Sequence, residues 1–398
     1  MDQNEVLKKV TSSITSITRR RKEKPEQKST RSKDDPMRVA IVCPYSMTIP
    51  GGVQNQVFLM SKTLRKRGID ARIIAPCDGA IPVPYIMSVG TTKSLKSNGS
   101  VAPLVEDSQA ASLTMDAISS FNPDVIHLHE PLVPGPTAAA MIAGEGAIVA
   151  TFHAAGEGIQ ALKYFRHPAR GAVSRVHKRI AVSNEAKSLA EQYLPGDYTI
   201  IPNCVDVKRI KESKQWGASK PTVLFVGRHE ERKGLPFLID AWLDSSYLQD
   251  SAQLWVAGVG ELTEELKTKS KGSKSIEFLG RIDNTELFSR MRSADVVVAP
   301  ALYGESFGII LIEAMAAGSA VVASDIAGYR DVARNEVEAL LVPPGDSKGI
   351  KEAIERIMKD PALKESLIRS GEERIKLFGA DVVVDQYVEV YKELIQMV

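Results

Sequence analysis

Arg38-Val39-Ala40-Ile41-Val42-Cys43 is an uninterrupted apolar run. A Pro/Gly-rich stretch, Pro44 to Gly52, follows at once, and then a helical pattern from about residue 53 to residue 67. A strand that is apolar at every position, not at alternate ones, is covered on both faces, as in a parallel sheet flanked by helices. The same style recurs at residues 70–75, 125–129, 148–153, 179–183 and 198–202. The grammar then restarts. Thr222-Val223-Leu224-Phe225-Val226-Gly227 reads as a strand, a loop follows, and a helix begins at Leu235. Residues 253–257, 276–279, 296–300, 320–324 and 339–342 continue the series, with helices such as 285–293 and 307–317 between them. Three helical patterns, near 346–359, 361–376 and 381–396, close the chain. The expected class is α/β, with two doubly wound Rossmann-like domains in tandem. Such folds bind ligands outside the carboxyl ends of the strands, and a cleft between two domains is the default site.

A chain of 398 residues is too long for one ordinary core, which agrees with two domains. The apolar and charged fractions, 43% and 25%, are those of a globular protein. A net charge of +2 implies no polyelectrolyte partner, so no nucleic acid is expected. The charge is unevenly placed: residues 1–36 hold ten Lys/Arg and six Asp/Glu, net +4. They read as a disordered basic extension, with a weak amphipathic pattern at 6–17, and offer a contact for anionic membrane. The expected segments are this extension, a first doubly wound unit at 37–205, a polar linker at 206–220, a second doubly wound unit at 221–378, and a final helix at 379–398. Cys43, Cys77 and Cys204 form no CxxC pair, so they read as ordinary thiols of a reducing compartment. No run of about 18 apolar residues and no signal-peptide pattern is seen. The expected location is the cytoplasm, with contact on the inner face of the cell membrane.

Gly304-Glu305-Ser306-Phe307-Gly308-Ile309-Ile310-Leu311-Ile312-Glu313-Ala314 places two carboxylates eight positions apart around a small-residue turn. Read as continuous helix, that spacing is about 12 Å, roughly the distance from a sugar ring across a diphosphate to a ribose. A helix start here leaves backbone N–H groups free for an anion. After the strand at 222–227 comes Gly227-Arg228-His229-Glu230-Glu231-Arg232-Lys233-Gly234, where Arg228 and Lys233 can clamp a diphosphate. Gly51-Gly52, before the first helix, permits close approach of a phosphate. His153 closes a strand. His127-x-His129-Glu130 has the look of a metal pair but shows no third ligand, and no Asp-x-Asp metal motif is present.

These segments together resemble the retaining GT-B glycosyltransferases of family 4, and within it the phosphatidylinositol mannosyltransferases that use GDP-mannose. The resemblance runs from about Met37 to the C-terminus. It is carried by Cys43-Pro44-Tyr45-Ser46, Pro50-Gly51-Gly52-Val53-Gln54, His129-Glu130-Pro131, Val149-Ala150-Thr151-Phe152-His153, Ile180-Ala181-Val182-Ser183, Ile201-Pro202-Asn203, the 227–234 loop, Met291-Arg292-Ser293-Ala294-Asp295 and the 304–318 segment. It implies that Gly51, Gly52, Arg228 and Lys233 hold the donor diphosphate. Glu305 holds sugar hydroxyls, the N–H groups of Ile309 and Ile310 face phosphate, and Glu313 takes the ribose. Ser306, Phe307, Gly308 and Ile282 complete the donor set. His153, with Glu305, Arg228 and Lys233, forms the catalytic set, and Tyr45, Gln54, Asn98 and Ser100 lie by the acceptor. It further implies that 37–205 binds the acceptor, that 221–378 binds a nucleotide-sugar donor and that the helix 379–398 packs back on the first unit, together with a lipid or small-molecule acceptor, no metal, retention of configuration, and a leaving diphosphate that itself takes the acceptor's proton.

The chain departs from the family pattern in three places. The 227–234 loop is one residue shorter. Asn98-Gly99-Ser100-Val101-Ala102 is followed by Pro103 where the family has arginine. The segment matching the family's basic membrane helix, residues 106–120, has three acidic residues and no Lys or Arg. Each cation near an anionic surface contributes roughly 1 kcal/mol, so attachment through that helix is weakened. The acceptor therefore stays open between a phosphoinositide, another lipid and a soluble molecule, and the donor base between guanine and uracil. A GT-B-shaped sugar-nucleotide epimerase, or a non-catalytic binding subunit, shares the architecture; the first makes product without any acceptor, and the second would lack the clamp. If residues 1–36 carry membrane attachment, deleting them lowers binding to anionic vesicles, most at low salt, in a flotation assay; unchanged binding removes that role.

Overall fold

The computed structural model describes residues 35–97, 100–104, 108–133, 135–154 and 174–397. They form two compact units. The first runs to Val182, returns for Ala186–Ile201 and takes the chain from Val383 onward; the second is Ser183–Glu185 and Pro202–Val382. Nearly all of the extension expected at 1–36, and Asn98, lie outside the described residues.

The first unit is built on β1 (Arg38–Val42), β2 (Asp70–Ala75), β3 (Ile86–Ser88), β6 (Val125–His129), β7 (Ala147–Phe152), β8 (Lys178–Ala181) and β9 (Thr199–Ile200). They form one parallel sheet in the order β3-β2-β1-β6-β7-β8-β9. Val39, Ala40, Ile41 and Val42 are fully buried because β1 pairs on both sides, with β2 and β6, and is covered on both faces. β4 (Lys93–Ser97) and β5 (Ser100–Leu104) form a separate antiparallel hairpin. β3, β4 and β5 have no counterpart in the expected elements. They are short, and their sequences carry none of the continuous apolar signal of a central strand.

The second unit contains β10 (Thr222–Val226), β11 (Gln253–Ala257), β12 (Ile276–Gly280), β13 (Val296–Ala299), β14 (Ala320–Ser324) and β15 (Leu340–Val342). Its sheet is parallel in the order β12-β11-β10-β13-β14-β15. In both units the order reverses beside the first strand, between β1 and β6 and between β10 and β13. These are the topological switch points at which doubly wound folds bind ligands.

Three expected boundaries differ from those observed. The helix read as 307–317 is Ile309–Ala317, because Gly308, at φ 88°, is left-handed and cannot be a helical residue. The segment read as a linker, 206–220, begins with the helix Val207–Glu212, capped by the Asp206 carboxylate accepting from Arg209 N. Only Ile210 of that helix is buried, too little for a periodic signal. The chain leaves the first unit at Ile201, ahead of residue 205. Val205 belongs to the second unit, where its N–H donates to the Phe378 carbonyl at 3.0 Å.

The final helix, Ala380–Met397, buries Val383, Val384, Tyr387, Val388, Val390, Tyr391 and Leu394 along one stripe. Tyr391 reaches β6, its hydroxyl 2.6 Å from His127 Nδ1.

The core of the second unit is centred on Trp242, fully buried, with its indole N–H donating to Ser275 Oγ at 2.9 Å. Trp242→Ala is expected to lower the unfolding free energy of this unit by about 3–5 kcal/mol. An earlier urea midpoint would show it; an unchanged midpoint would place Trp242 outside the cooperative core.

Candidate active site

The loops that leave β10 and β13 meet at the second switch point. Gly234 sits at φ 69°, and a Cβ there would overlap the Pro300 carbonyl oxygen. Leu302 N donates to Arg232 O at 2.8 Å. The two loops are therefore joined backbone to backbone. The 3-10 turn Glu231–Lys233 then sends Arg232 and Lys233 to one carboxylate. Lys233 Nζ lies 2.6 Å and Arg232 Nη1 3.0 Å from Glu305 Oε1. Glu230 bridges the remaining cations, with Oε2 3.2 Å from Arg232 Nε and Oε1 2.8 Å from Arg228 Nη1. Three cations and two carboxylates form one chain of ion pairs with a surplus positive charge. Glu230, Arg232, Glu305 and Lys233 are only 13%, 14%, 15% and 22% exposed, so their pairs are poorly screened, whereas Arg228, 44% exposed, is open to solvent. Charge-assisted hydrogen bonds of this kind contribute about 1.5–3 kcal/mol each. Burial lowers the Arg228 guanidinium from its ordinary value, and Glu230 opposes this.

Arg228 and Lys233 were legible in the sequence; Arg232 and Glu230 were not. A run of Glu-Glu-Arg-Lys does not say which members face inward. His229 between them is structural: it is fully buried, with Nδ1 2.9 Å from Thr263 Oγ1.

Glu305 and Glu313 do not lie on one continuous helix. Gly304 and Gly308 both have positive φ, so the chain turns between them and helix begins only at Ile309. A Cβ on Gly308 would stand 2.6 Å from the Tyr329 ring, and one on Gly328 would overlap the Glu305 carbonyl oxygen. The turn is thus pressed against the segment carrying Tyr329. Among the described residues no side chain caps the helix start, which leaves the N–H groups of Ile309 and Ile310 to an outside acceptor. Phe307 is buried, edge-on to the Phe378 ring at 5.6 Å, so it offers a ligand only its backbone. Ser306 lies in the same turn, and Ile282 follows β12 at the carboxyl end of the sheet. Glu313 keeps part of its surface accessible, but protein surrounds its carboxyl and burial raises it to about 7.

In the first unit, Gly51 is the N-cap and Gly52 the first residue of the helix Gly52–Lys66, again with no side-chain cap. Gln54 folds back beneath Gly51, where a Cβ would collide with its amide. The segments after β1, β6 and β7 bring Tyr45, Glu130 and His153 to the carboxyl ends of adjacent strands. Glu130 Oε1 accepts from His153 N at 2.6 Å. Burial raises the Glu130 carboxyl to about 7, and burial together with Glu130 raises the Tyr45 hydroxyl well above its ordinary value. Both ring nitrogens of His127 have partners, Tyr391 and Thr151, and His129 Nδ1 meets His153. Ser100 opens β5 in the hairpin.

Two doubly wound domains, one carrying a cation cluster locked onto a carboxylate beside an uncapped helix start, are the parts of a glycosyltransferase. "Glycosyl transferases group 1" matches residues 206–374 and "Glycosyltransferase Family 4" matches residues 50–209. The chain is 38% identical to the phosphatidyl-myo-inositol mannosyltransferase of Mycobacterium leprae, across 89% of this chain and 96% of that one. It is 36% identical to the enzyme of the same name from Mycolicibacterium smegmatis, across 89% and 94%. Among solved structures it is similar to sucrose-phosphate synthase from Thermosynechococcus elongatus, with a TM-score of 0.73 and 21% identity over 91% of this chain and 100% of that one. The chain belongs to glycosyltransferase family 4, and its fold is GT-B.

Glu313 gives a test of the site's electrostatics. A carboxyl raised to about 7 in the fold and ordinary when unfolded favours folding fully at low pH, and that favour is lost as pH rises through 7. Glu313→Gln removes the group. Its stabilising effect is expected to be larger at pH 8 than at pH 5 in thermal melts; equal effects would show an unshifted carboxyl.

Proposed function

We propose that this enzyme moves mannose from GDP-mannose to a hydroxyl of a lipid acceptor of the phosphatidylinositol kind, with retention of anomeric configuration and without a metal ion. The observation that carries the reading is the pairing of Glu305 with Lys233 and Arg232. Diphosphate leaves a sugar only when its growing charge is neutralised. Arg228, Lys233 and the N–H groups of Ile309 and Ile310 meet that need with cations and dipoles. Arg232, absent from the sequence-derived set, adds a third cation. In this reading Glu305 accepts from sugar hydroxyls and Glu313 takes the ribose. His153 stands at the reacting sugar. No protein nucleophile is invoked, and the leaving diphosphate takes the acceptor's proton. The choice of mannose and of an inositol lipid is supported by the names of the relatives alone.

No helix among the described residues is long and apolar enough to cross a membrane. For meeting a lipid acceptor at a membrane surface, the basic residues 1–36 offer electrostatic attraction.

Calorimetry with GDP, UDP and ADP tests the donor. Tightest binding of GDP supports the reading; preference for UDP moves it to glucosyl or N-acetylglucosaminyl transfer. Turnover of GDP-mannose with phosphatidylinositol vesicles, unchanged by a chelator, is the expected activity. Release of free nucleotide and an altered sugar without any acceptor would favour an epimerase instead. Lys233→Ala and Glu305→Ala should each lower turnover by about 100-fold or more with folding intact by circular dichroism; near-normal rates in both would overturn the site.

A further inference from the structure

His129 ends β6 as a fully buried residue. Its Nδ1 lies 2.8 Å from His153 Nε2, and the two rings stack with centroids 5.1 Å apart. The His127 ring stands 4.5 Å from the His129 ring and is itself fixed at both nitrogens, Nδ1 by the Tyr391 hydroxyl and Nε2 by Thr151 Oγ1. The remaining nitrogen of His129, Nε2, is buried with no hydrogen-bond partner among the described residues.

That orphan decides the tautomer. Only one hydrogen lies between two imidazole nitrogens 2.8 Å apart. If His153 donated it, neutral His129 would carry its own hydrogen on Nε2, a buried N–H with nothing to accept it. Orphaned N–H groups are the rarer and costlier defect; an unused acceptor is milder. His129 therefore donates from Nδ1. Burial, with His127 and His153 adding to it, holds His129 neutral by lowering it well below its ordinary value, so it cannot carry both hydrogens. His153 accepts at Nε2 and must hold its own hydrogen on Nδ1. The next residue, Glu130, fixes the His153 main chain by accepting its N–H. Glu130 adopts φ 54°, a left-handed conformation few non-glycine residues take up, so β6 is bent at its end to place this contact.

We propose that His129 is a positioning residue: by donating to His153 Nε2 it holds that ring and fixes it in the Nδ1–H tautomer, so that His153 meets a sugar oxygen as a neutral hydrogen-bond donor and not as a base. The proposal rests on the reading that His153 stands at the reacting sugar. Sequence spacing placed His127 and His129 on one face of a strand, like a metal pair but without a third ligand; in the structure the second of them meets His153.

The test begins with a readout independent of activity. In the full-length protein labelled with 15N at histidine, long-range proton–nitrogen correlation spectra distinguish the two tautomers, and His153→Leu assigns the signals. Wild type is expected to show His153 protonated on Nδ1, and His129→Leu to move it to Nε2–H. A wild-type Nε2–H signal, or an unchanged spectrum in His129→Leu, overturns the proposal. Turnover of GDP-mannose with phosphatidylinositol vesicles then separates the roles. His129→Leu should lower kcat by about 100-fold with KM for the donor little changed. His129→Asn, whose amide N–H can stand in for Nδ1–H, should restore most of it. If His153→Leu is inactive while His129→Leu turns over normally, the positioning role alone fails. If His153→Leu turns over normally, the reading of His153 at the sugar fails, and the proposal falls with it. Should His129→Leu not fold, His129→Asn and the wild-type spectrum still decide.

Discussion

The site in the second unit depends on a place where no side chain fits. Gly234 lies so close to the Pro300 carbonyl that a Cβ would overlap it, and this contact joins the loop after β10 to the loop after β13. These loops leave the two strands that flank the reversal of strand order. The parallel sheet gives both loops the same direction, and the glycine lets them touch. The Leu302 to Arg232 backbone bond then sets the turn that delivers two cations to Glu305. Ordinary hydrophobic burial underlies this. β10 is an apolar strand paired on both sides, and its stiffness is what makes the end of the strand a fixed point.

The electrostatics follow from the same arrangement. A carboxylate shared by a lysine and an arginine cannot rotate freely, and the cations that hold it carry more charge than it neutralises. The turn around Gly304 and Gly308 keeps Glu305 off the helix and leaves the helix start uncapped. The first unit works differently. At the ends of β6 and β7 it holds a buried histidine series backed by a tyrosine, and Glu130 is tied to the backbone beside His153.

Much of this was legible in the chain. The continuous apolar runs gave nearly every central strand, since a strand covered on both faces has no polar positions to blur its signal. Arg228, Lys233, Glu305 and Glu313 stood out by residue type and spacing. What could not be read was direction. A left-handed glycine at 308 delays the helix by two residues and takes Glu305 off its axis. The inward member of Glu230-Glu231-Arg232-Lys233 is chosen by a single turn. The helix at 207–212 is too short for periodicity, and the partner of His127 lies 264 positions away on the last helix, beyond any local pattern.

That last separation has a kinetic side. The first unit is not a contiguous stretch of chain: residues from Val383 onward, synthesised after the second unit, complete it. Until they emerge, the stripe that Tyr387 and Tyr391 cover on β6 stays exposed, and His127 lacks its hydroxyl partner. Closing a loop of this length costs little more than closing a short one, because the entropy grows only with the logarithm of length. The delay is therefore one of time and not of stability. The whole second unit is made during it, so the order of synthesis lets the charged site form before the histidine series is sealed, and a chain cut short before the final helix carries the clamp without its buried counterpart.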